Sequence, residues 1–144
     1  MYHRVIFSSP ILSDEQPNFN FSGPTNLLIG AVSNIIDNAI YWTTAKRDLL
    51  KGKYKPAIFI GTDLESFEAP AIIIADNGNN FSLEPEYLTQ PFKSEKDNGI
   101  GLGLYFVDLV MKMTGGRLIF PDSSDLNIPK AYNGACLALV FPKK

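Results

Sequence analysis

The sequence predicts an α/β (α+β) two-layer sandwich, with one mixed, largely antiparallel sheet and its helices on one face. Three observations carry this prediction. Segment types follow one another as strand, helix, two strands, helix, two strands. Residues 26–50 hold no helix breaker except Gly30 and repeat Leu28, Val32, Ile35, Ala39 and Ile40 at helical spacing, so one stripe is buried. Residues 69–75, Ala-Pro-Ala-Ile-Ile-Ile-Ala, are apolar on both faces, which makes them a central strand covered on both sides.

In chain order, the short apolar run 5–7 is expected as part of an edge strand, and 8–21, rich in Ser, Pro, Asn and acid, as loop. Ser22-Gly-Pro-Thr25 supplies small polar residues and a proline at a helix start. The long helix that follows is expected to end at Gly52. Residues 56–60 and 69–75 are expected as two strands joined by a hairpin at 62–68, with Asp76-Asn-Gly-Asn-Asn80 as the next turn. A short helix at 84–88, a polar loop at 89–98 and a helix at 102–113 closed by Gly115-Gly116 come next. Residues 117–120 and 135–141 are the last two strands, separated by a Pro/Asp/Ser/Asn connection. No internal repeat or low-complexity tract occurs, and 144 residues suit one domain, 1–144, whose motifs fall within 24–142.

Composition narrows the function classes. With 45% hydrophobic and 19% charged residues, a packed core is expected rather than disorder. The net charge of −2 and dispersed basic residues argue against nucleic acid as the main partner. Cys136 is the only cysteine, so neither an intrachain disulfide nor a cysteine zinc site can form. No apolar run approaches the length of a membrane span, and no signal-peptide core is present. We therefore expect a cytoplasmic domain without membrane contact of its own, although a parent protein could be membrane-anchored.

The strongest motif is Asn98-Gly-Ile-Gly-Leu-Gly-Leu-Tyr105. Gly99, Gly101 and Gly103 crowd a helix start, where glycine is costly unless the backbone must approach something closely. The bare N–H groups of a helix N-terminus suit phosphate. The spacing G-x-G-x-G after a polar segment is not the dinucleotide fingerprint, and no P-loop string exists. Asn34 and Asn38 lie four apart on one helix face, Tyr41 nearly a turn later. Their amide oxygens either suit a hard cation such as Mg²⁺, which keeps waters and phosphates as its other ligands, or bond neighbouring backbone at a solvent edge. Asp76 ends a buried strand, and Gly78 permits close approach or a positive φ. The carboxylate either accepts from an amino group such as adenine's or belongs to an ordinary Asp-Asn-Gly turn. Lys93 and Lys96 precede the glycine run on a charged loop, which either reaches phosphates or is surface.

Taken in order, the motifs resemble those of the ATP-binding domain shared by gyrase, heat-shock chaperones, histidine kinases and mismatch-repair proteins. Asn34-Ile-Ile-Asp-Asn38-Ala resembles the N box, Asp76-Asn-Gly78 the first glycine box, and Pro91-Phe92 with 94–96 the F box. Residues 99–105, including Leu102 and Leu104, resemble the second glycine box. Gly115-Gly116 and 134–142 resemble the closing strands. Within that superfamily the histidine-kinase catalytic domain matches best, because Asn34 stands where ATP-hydrolysing members carry a general-base Glu.

The resemblance implies the Bergerat-type ATP-binding fold, ATP and Mg²⁺ as cofactors, and transfer of the γ-phosphate to a histidine. That histidine would sit on a helical phosphoacceptor domain, in the same parent chain or in trans, with a response regulator as indirect partner. Asn38 with Asn34 would hold Mg²⁺, Asp76 would bind the adenine amino group with Gly78 beside it, and Gly99, Gly101 and Gly103 would line the phosphates. The loop 93–98 would be the ATP lid. No residue is assigned as the chemical catalyst; Asn34 and Lys96 are the candidates.

Three departures stand out. Tyr41, followed by Trp42, replaces the family's basic residue, so a phosphate contact is either lost or taken over by Lys46 or Lys96. Asn79-Asn80 replaces the second glycine of the first box, relying on asparagine's tolerance of left-handed backbone. The sole histidine, His3, lies by the edge strand, so no phosphoacceptor hairpin is present. Alternative readings are a degenerate nucleotide-sensing module acting through protein contacts, and an anti-sigma-type serine kinase.

Overall fold

Alternation along the strands sets which face of the sheet each side chain serves. In the computed structural model, which describes residues 4–8, 24–81, 83–92 and 102–143, five strands form one sheet. They are β1 (Arg4–Ser8), β2 (Ala57–Asp63), β3 (Ala71–Asp76), β4 (Arg117–Ile119) and β5 (Cys136–Val140). Their order across the sheet is β1-β2-β3-β5-β4. β1 runs parallel to β2, and every other pairing is antiparallel. The sheet is thus mixed and largely antiparallel, with β1 at an edge and β3 in the centre, as the sequence predicts.

Among the described residues three helices accompany it: α1 (Thr25–Leu50), α2 (Pro85–Leu88) and α3 (Gly103–Met113). On α1 the innermost stripe is Ala31, Ile35, Ala39 and Thr43, each four residues from the next. Leu28, Val32 and Ile40 flank it and are only partly buried. Thr43 survives in the stripe because its hydroxyl donates to the Ala39 carbonyl at 2.7 Å. The helix ends where Lys51 and Gly52 both turn left-handed. Gly115 is left-handed too, and the N–H of Gly116 closes α3 by donating to the Met111 carbonyl at 3.0 Å.

The helix-side core joins Ala31, Ile35 and Ala39 of α1 and Leu104, Val107, Val110 and Met111 of α3 to Ile58, Ile74, Leu137 and Leu139 of the sheet. The opposite face buries Phe59, Ala71, Ile73, Ala75, Cys136, Ala138 and Val140. Among the described residues no helix covers that second face. Phe67 and Ala69 of the β2–β3 hairpin, and Leu126, Ile128 and Tyr132 of the β4–β5 connection, do so. This connection includes a short 3₁₀ turn at Ser123–Asp125, where the sequence predicts only loop. No helix among the described residues is long and apolar enough to cross a membrane.

Candidate functional site

Asp76 ends β3 with the same parity as Ile72 and Ile74, so it faces the helices from beneath an apolar layer. It is 4% exposed. Its Oδ1 accepts from the backbone N–H groups of Gly78 at 2.8 Å and Ala135 at 3.2 Å. None of the hydrogen bonds among the described residues engages Oδ2. Burial pushes the carboxyl up from 3.8 to about 6, against the lowering effect of the two N–H groups and the Lys46 charge. The carboxylate is therefore ionised at neutral pH at a real energetic cost.

Asp76 opens into a pocket between α1, α3 and the sheet. Ile35, Asn38, Ala39 and Trp42 of α1 line it, with Ile74 of β3, Phe81, Leu104 of α3, Ala135 and Leu137. Apart from the Asn38 amide, the Asp76 carboxylate and the Trp42 indole N–H, these side chains are apolar. Such a slot accepts a flat heterocycle that offers an N–H donor to the carboxylate.

Leu104 brings the first turn of α3 to this pocket. Among the described residues no side chain caps that helix start at Leu102, and its first turn holds no acidic residue. A Cβ added to Gly103 would stand 3.9 Å from Asn38 Nδ2, so the backbone there lies close to the amide. Unsatisfied N–H groups beside an amide form a polar corner suited to an anion. Among the described residues no three His, Cys, Asp or Glu side chains cluster as a metal set. A hard cation at this corner would use the Asn38 amide oxygen together with oxygens of the bound anion.

The turn after Asp76 is fixed from three directions. Asn77 Oδ1 accepts from the Tyr54 hydroxyl at 2.7 Å and the Ala57 N–H at 2.9 Å, and Nδ2 donates to the Lys55 carbonyl at 2.8 Å. The Lys46 ammonium donates to the carbonyls of Asn77 at 3.2 Å and Gly78 at 3.5 Å. From β5's approach, the Gly134 N–H donates to the Asp76 carbonyl at 2.8 Å. A Cβ on Gly134 would stand 2.5 Å from Asp76 Oδ1 and from the Gly78 carbonyl oxygen, so only glycine fits there.

No family model matches this sequence, and no curated protein matches it. Solved structures do resemble it. The mycobacterial sensor histidine kinase MprB is 18% identical with a TM-score of 0.64, the likeness covering 96% of this chain and 82% of that one. The ATP-binding domain of PrrB from Mycobacterium tuberculosis is 23% identical with a TM-score of 0.61, over 99% and 81% of the two chains. The catalytic domain of histidine kinase ThkA is 15% identical with a TM-score of 0.64, over 94% and 76%. The fold is that of the histidine-kinase ATP-binding domain.

Within this histidine-kinase fold, the structure brings Asn38, Asp76 and Leu104 together as pocket walls, with Gly78 and Gly103 at its margins and Leu102 at the start of α3. Asn34 sits one turn before Asn38 on the same face and is not a wall of the pocket. Tyr41 packs edge-on against Trp42, ring centroids 4.9 Å apart, and does not line the pocket either. Lys93, Lys96, Gly99, Gly101, the loop 93–98 and His3 lie outside the described residues.

The Lys46 ammonium, one of the two cations weighed for the missing phosphate contact, donates to the Asn77 and Gly78 carbonyls. One expectation is corrected: Asn79 and Asn80 do not use left-handed backbone; instead Asn80 Oδ1 accepts from the Phe81 N–H at 2.9 Å. Sequence reasoning also missed pocket residues. Trp42 is four residues after Asn38, a spacing that puts it on the same face and was available as a signal. Gly134 carries a signal only once the Asp76 turn is known to lie against it. Phe81, wedged edge-on against Phe120 at 5.2 Å, carries none.

Proposed function

We propose that this domain binds Mg-ATP and supplies the γ-phosphate to a histidine on a separate helical phosphoacceptor domain, as the catalytic domain of a sensor histidine kinase. The observation that carries this reading is the Asp76 carboxylate, buried, with one oxygen tied to two N–H groups and the other left for a ligand in an apolar slot. An adenine amino group satisfies that oxygen, whereas guanine would present a carbonyl to it. The slot between Ile74, Phe81, Trp42 and Leu137 takes the base. The uncapped start of α3 and the Asn38 amide face the phosphates. Asn38, with Asn34 behind it, would hold Mg²⁺, which neutralises charge between the β- and γ-phosphates. In transfer, the bond from the γ-phosphorus to the β,γ-bridging oxygen breaks, a phosphorus–nitrogen bond forms on the partner histidine, and ADP leaves. A response regulator would then take the phosphoryl group from that histidine.

The test is incubation with γ-labelled ATP, with and without Mg²⁺, and a histidine-bearing helical hairpin domain. Label on the hairpin that is stable to base and labile to acid is expected; absence of ATP binding would remove the reading. A second reading, a nucleotide-binding module that does not transfer, is favoured by one observation. Among the described residues the missing basic position is not made good: Tyr41 fills the place itself, and the Lys46 ammonium donates to the Asp76 turn. Binding without label on any hairpin supports that second reading.

A further inference from the structure

β3 ends at Asp76, and the next residue closes its ladder with a side chain. A hydrogen-bonded antiparallel pair exchanges two bonds from N–H to carbonyl. Between Ala57 and Asn77 only one of them is backbone: the Asn77 N–H donates to the Ala57 carbonyl at 3.2 Å. The Ala57 N–H donates instead to Asn77 Oδ1 at 2.9 Å. The Asn77 carbonyl is thereby released from the ladder, and it accepts from the Lys46 ammonium at 3.2 Å. Two further bonds fix the amide: the Tyr54 hydroxyl donates to Oδ1 at 2.7 Å, and Nδ2 donates to the Lys55 carbonyl at 2.8 Å. The chain then turns so that the next N–H, that of Gly78, donates back to Asp76 Oδ1 at 2.8 Å. A Cβ on Gly78 would stand 3.1 Å from Asp76 Oδ1 and 3.3 Å from Thr43 Cγ2, so the turn lies close between the carboxylate and α1.

We propose that Asn77 is a positioning residue for base recognition: its amide, anchored by Tyr54, stands in for a strand carbonyl, turns the backbone, and so aims the Gly78 N–H that holds Asp76 Oδ1 and leaves Oδ2 to the base. This rests on the reading of Asp76 as the base acceptor. Asn77 is not a wall of the pocket, so it acts on a ligand only through Gly78 and Asp76. The role suits an amide. Oδ1 takes two donors while Nδ2 supplies a third bond to a carbonyl, and an ionised carboxylate of the same shape has no donor for that carbonyl.

The experiment takes the whole chain at pH 7.5, where Asp76 is ionised, with two variants that leave the charge unchanged, Asn77→Ala and Tyr54→Phe, and their double. Amide hydrogen exchange is read in the ligand-free protein. NMR titration then gives affinities for adenosine and for purine riboside, which lacks the 6-amino group. In Asn77→Ala the Gly78 N–H should exchange about tenfold faster, with the core amides of β3 and β5 within about twofold of wild type. Adenosine should weaken about fivefold and purine riboside by no more than about twofold, because only adenosine bonds Asp76. Tyr54→Phe should shift both readouts the same way by less. The double variant should go no further than Asn77→Ala, since the Tyr54 hydroxyl acts through Oδ1. The proposal is overturned if the Gly78 rate in Asn77→Ala stays at the wild-type value, if all the core amides quicken with it, or if the two nucleosides weaken alike. Should Asn77→Ala fail to fold, Tyr54→Phe decides by the same three criteria. Wild-type protein that binds purine riboside as well as adenosine, or neither, would sink the base-acceptor reading instead, while Gly78 exchange still decides whether Asn77 holds the turn.

Discussion

Replacing Asp76 by Asn separates what this residue costs the fold from what it gives the ligand. At neutral pH the folded protein holds a carboxylate whose pKa is about 6 against an ordinary 3.8. That interval corresponds to about 3 kcal/mol of penalty on the charged form. The sign follows from proton uptake. Between pH 3.8 and about 6 the folded state retains a proton that the unfolded chain has released, so stability falls as pH rises through this window and is level above it. An asparagine carries no charge to bury. Its Oδ1 keeps both acceptor roles, because turning the amide would set its NH₂ against the Gly78 and Ala135 N–H groups. Asp76→Asn should therefore raise stability at pH 7 by up to about 3 kcal/mol, or roughly 5–10 °C in Tm. The gain should shrink below about 1 kcal/mol at pH 4. The same amide then points a donor at the base amino group, and the loss of a charge-assisted bond weakens ATP by about 10- to 100-fold. Differential scanning calorimetry at pH 4 and 7, with titration calorimetry of ATP at pH 7, reads both effects. A variant that is less stable than wild type at pH 7, or that binds ATP as well, would refute the reasoning.

Other expected outcomes follow from the same geometry. Gly134→Ala forces a methyl against Asp76 Oδ1 and the Gly78 carbonyl oxygen, so it should cost about 2 kcal/mol or more by denaturant unfolding and abolish measurable nucleotide binding. Adenosine affinity in the wild-type protein should fall about tenfold from pH 7.5 to pH 5, because Asp76 then accepts a proton in its place; NMR titration gives the profile. Asn38→Ala should leave adenosine binding within about twofold and remove the Mg²⁺ dependence of ATP binding, seen by titration calorimetry with and without EDTA. Trp42→Ala opens the apolar slot and should weaken adenosine by about 1–3 kcal/mol with Mg²⁺ dependence intact.

The fold was legible because its signals are long-range repeats. Twenty-six residues of α1 at helical spacing, and a β3 segment apolar on both faces, leave few architectures open. The edge position of β1 and the central position of β3 followed from the same patterns. The 3₁₀ turn at Ser123–Asp125 did not, because it rests on an Asp122 cap whose Oδ1 accepts from the Ser124 N–H at 2.9 Å, which looks like any loop chemistry. At the site, Asp76, Asn38 and Leu104 could be read because each stands at a fixed place in an element: a strand end, a helix face, a helix start. The contacts of Lys46 with the Asn77 and Gly78 carbonyls were not legible, because a lysine has reach, and its sequence position does not say which carbonyl or phosphate it meets. Asn77 was read as turn filler, yet its amide fixes that turn to Tyr54, Lys55 and Ala57, contacts that only the folded β2–β3 pairing creates. Phe81 and Ala135 join the pocket through tertiary packing alone.

The central claim is that the slot beside Asp76 holds the base of ATP. Its most direct test is parallel titration calorimetry of Mg-ATP and Mg-GTP against the whole chain at pH 7.5. One saturable site for Mg-ATP is predicted, with Mg-GTP at least about tenfold weaker, because a guanine carbonyl would face the Asp76 carboxylate. Equal affinities for the two nucleotides, or no heat of binding with Mg-ATP, would contradict it.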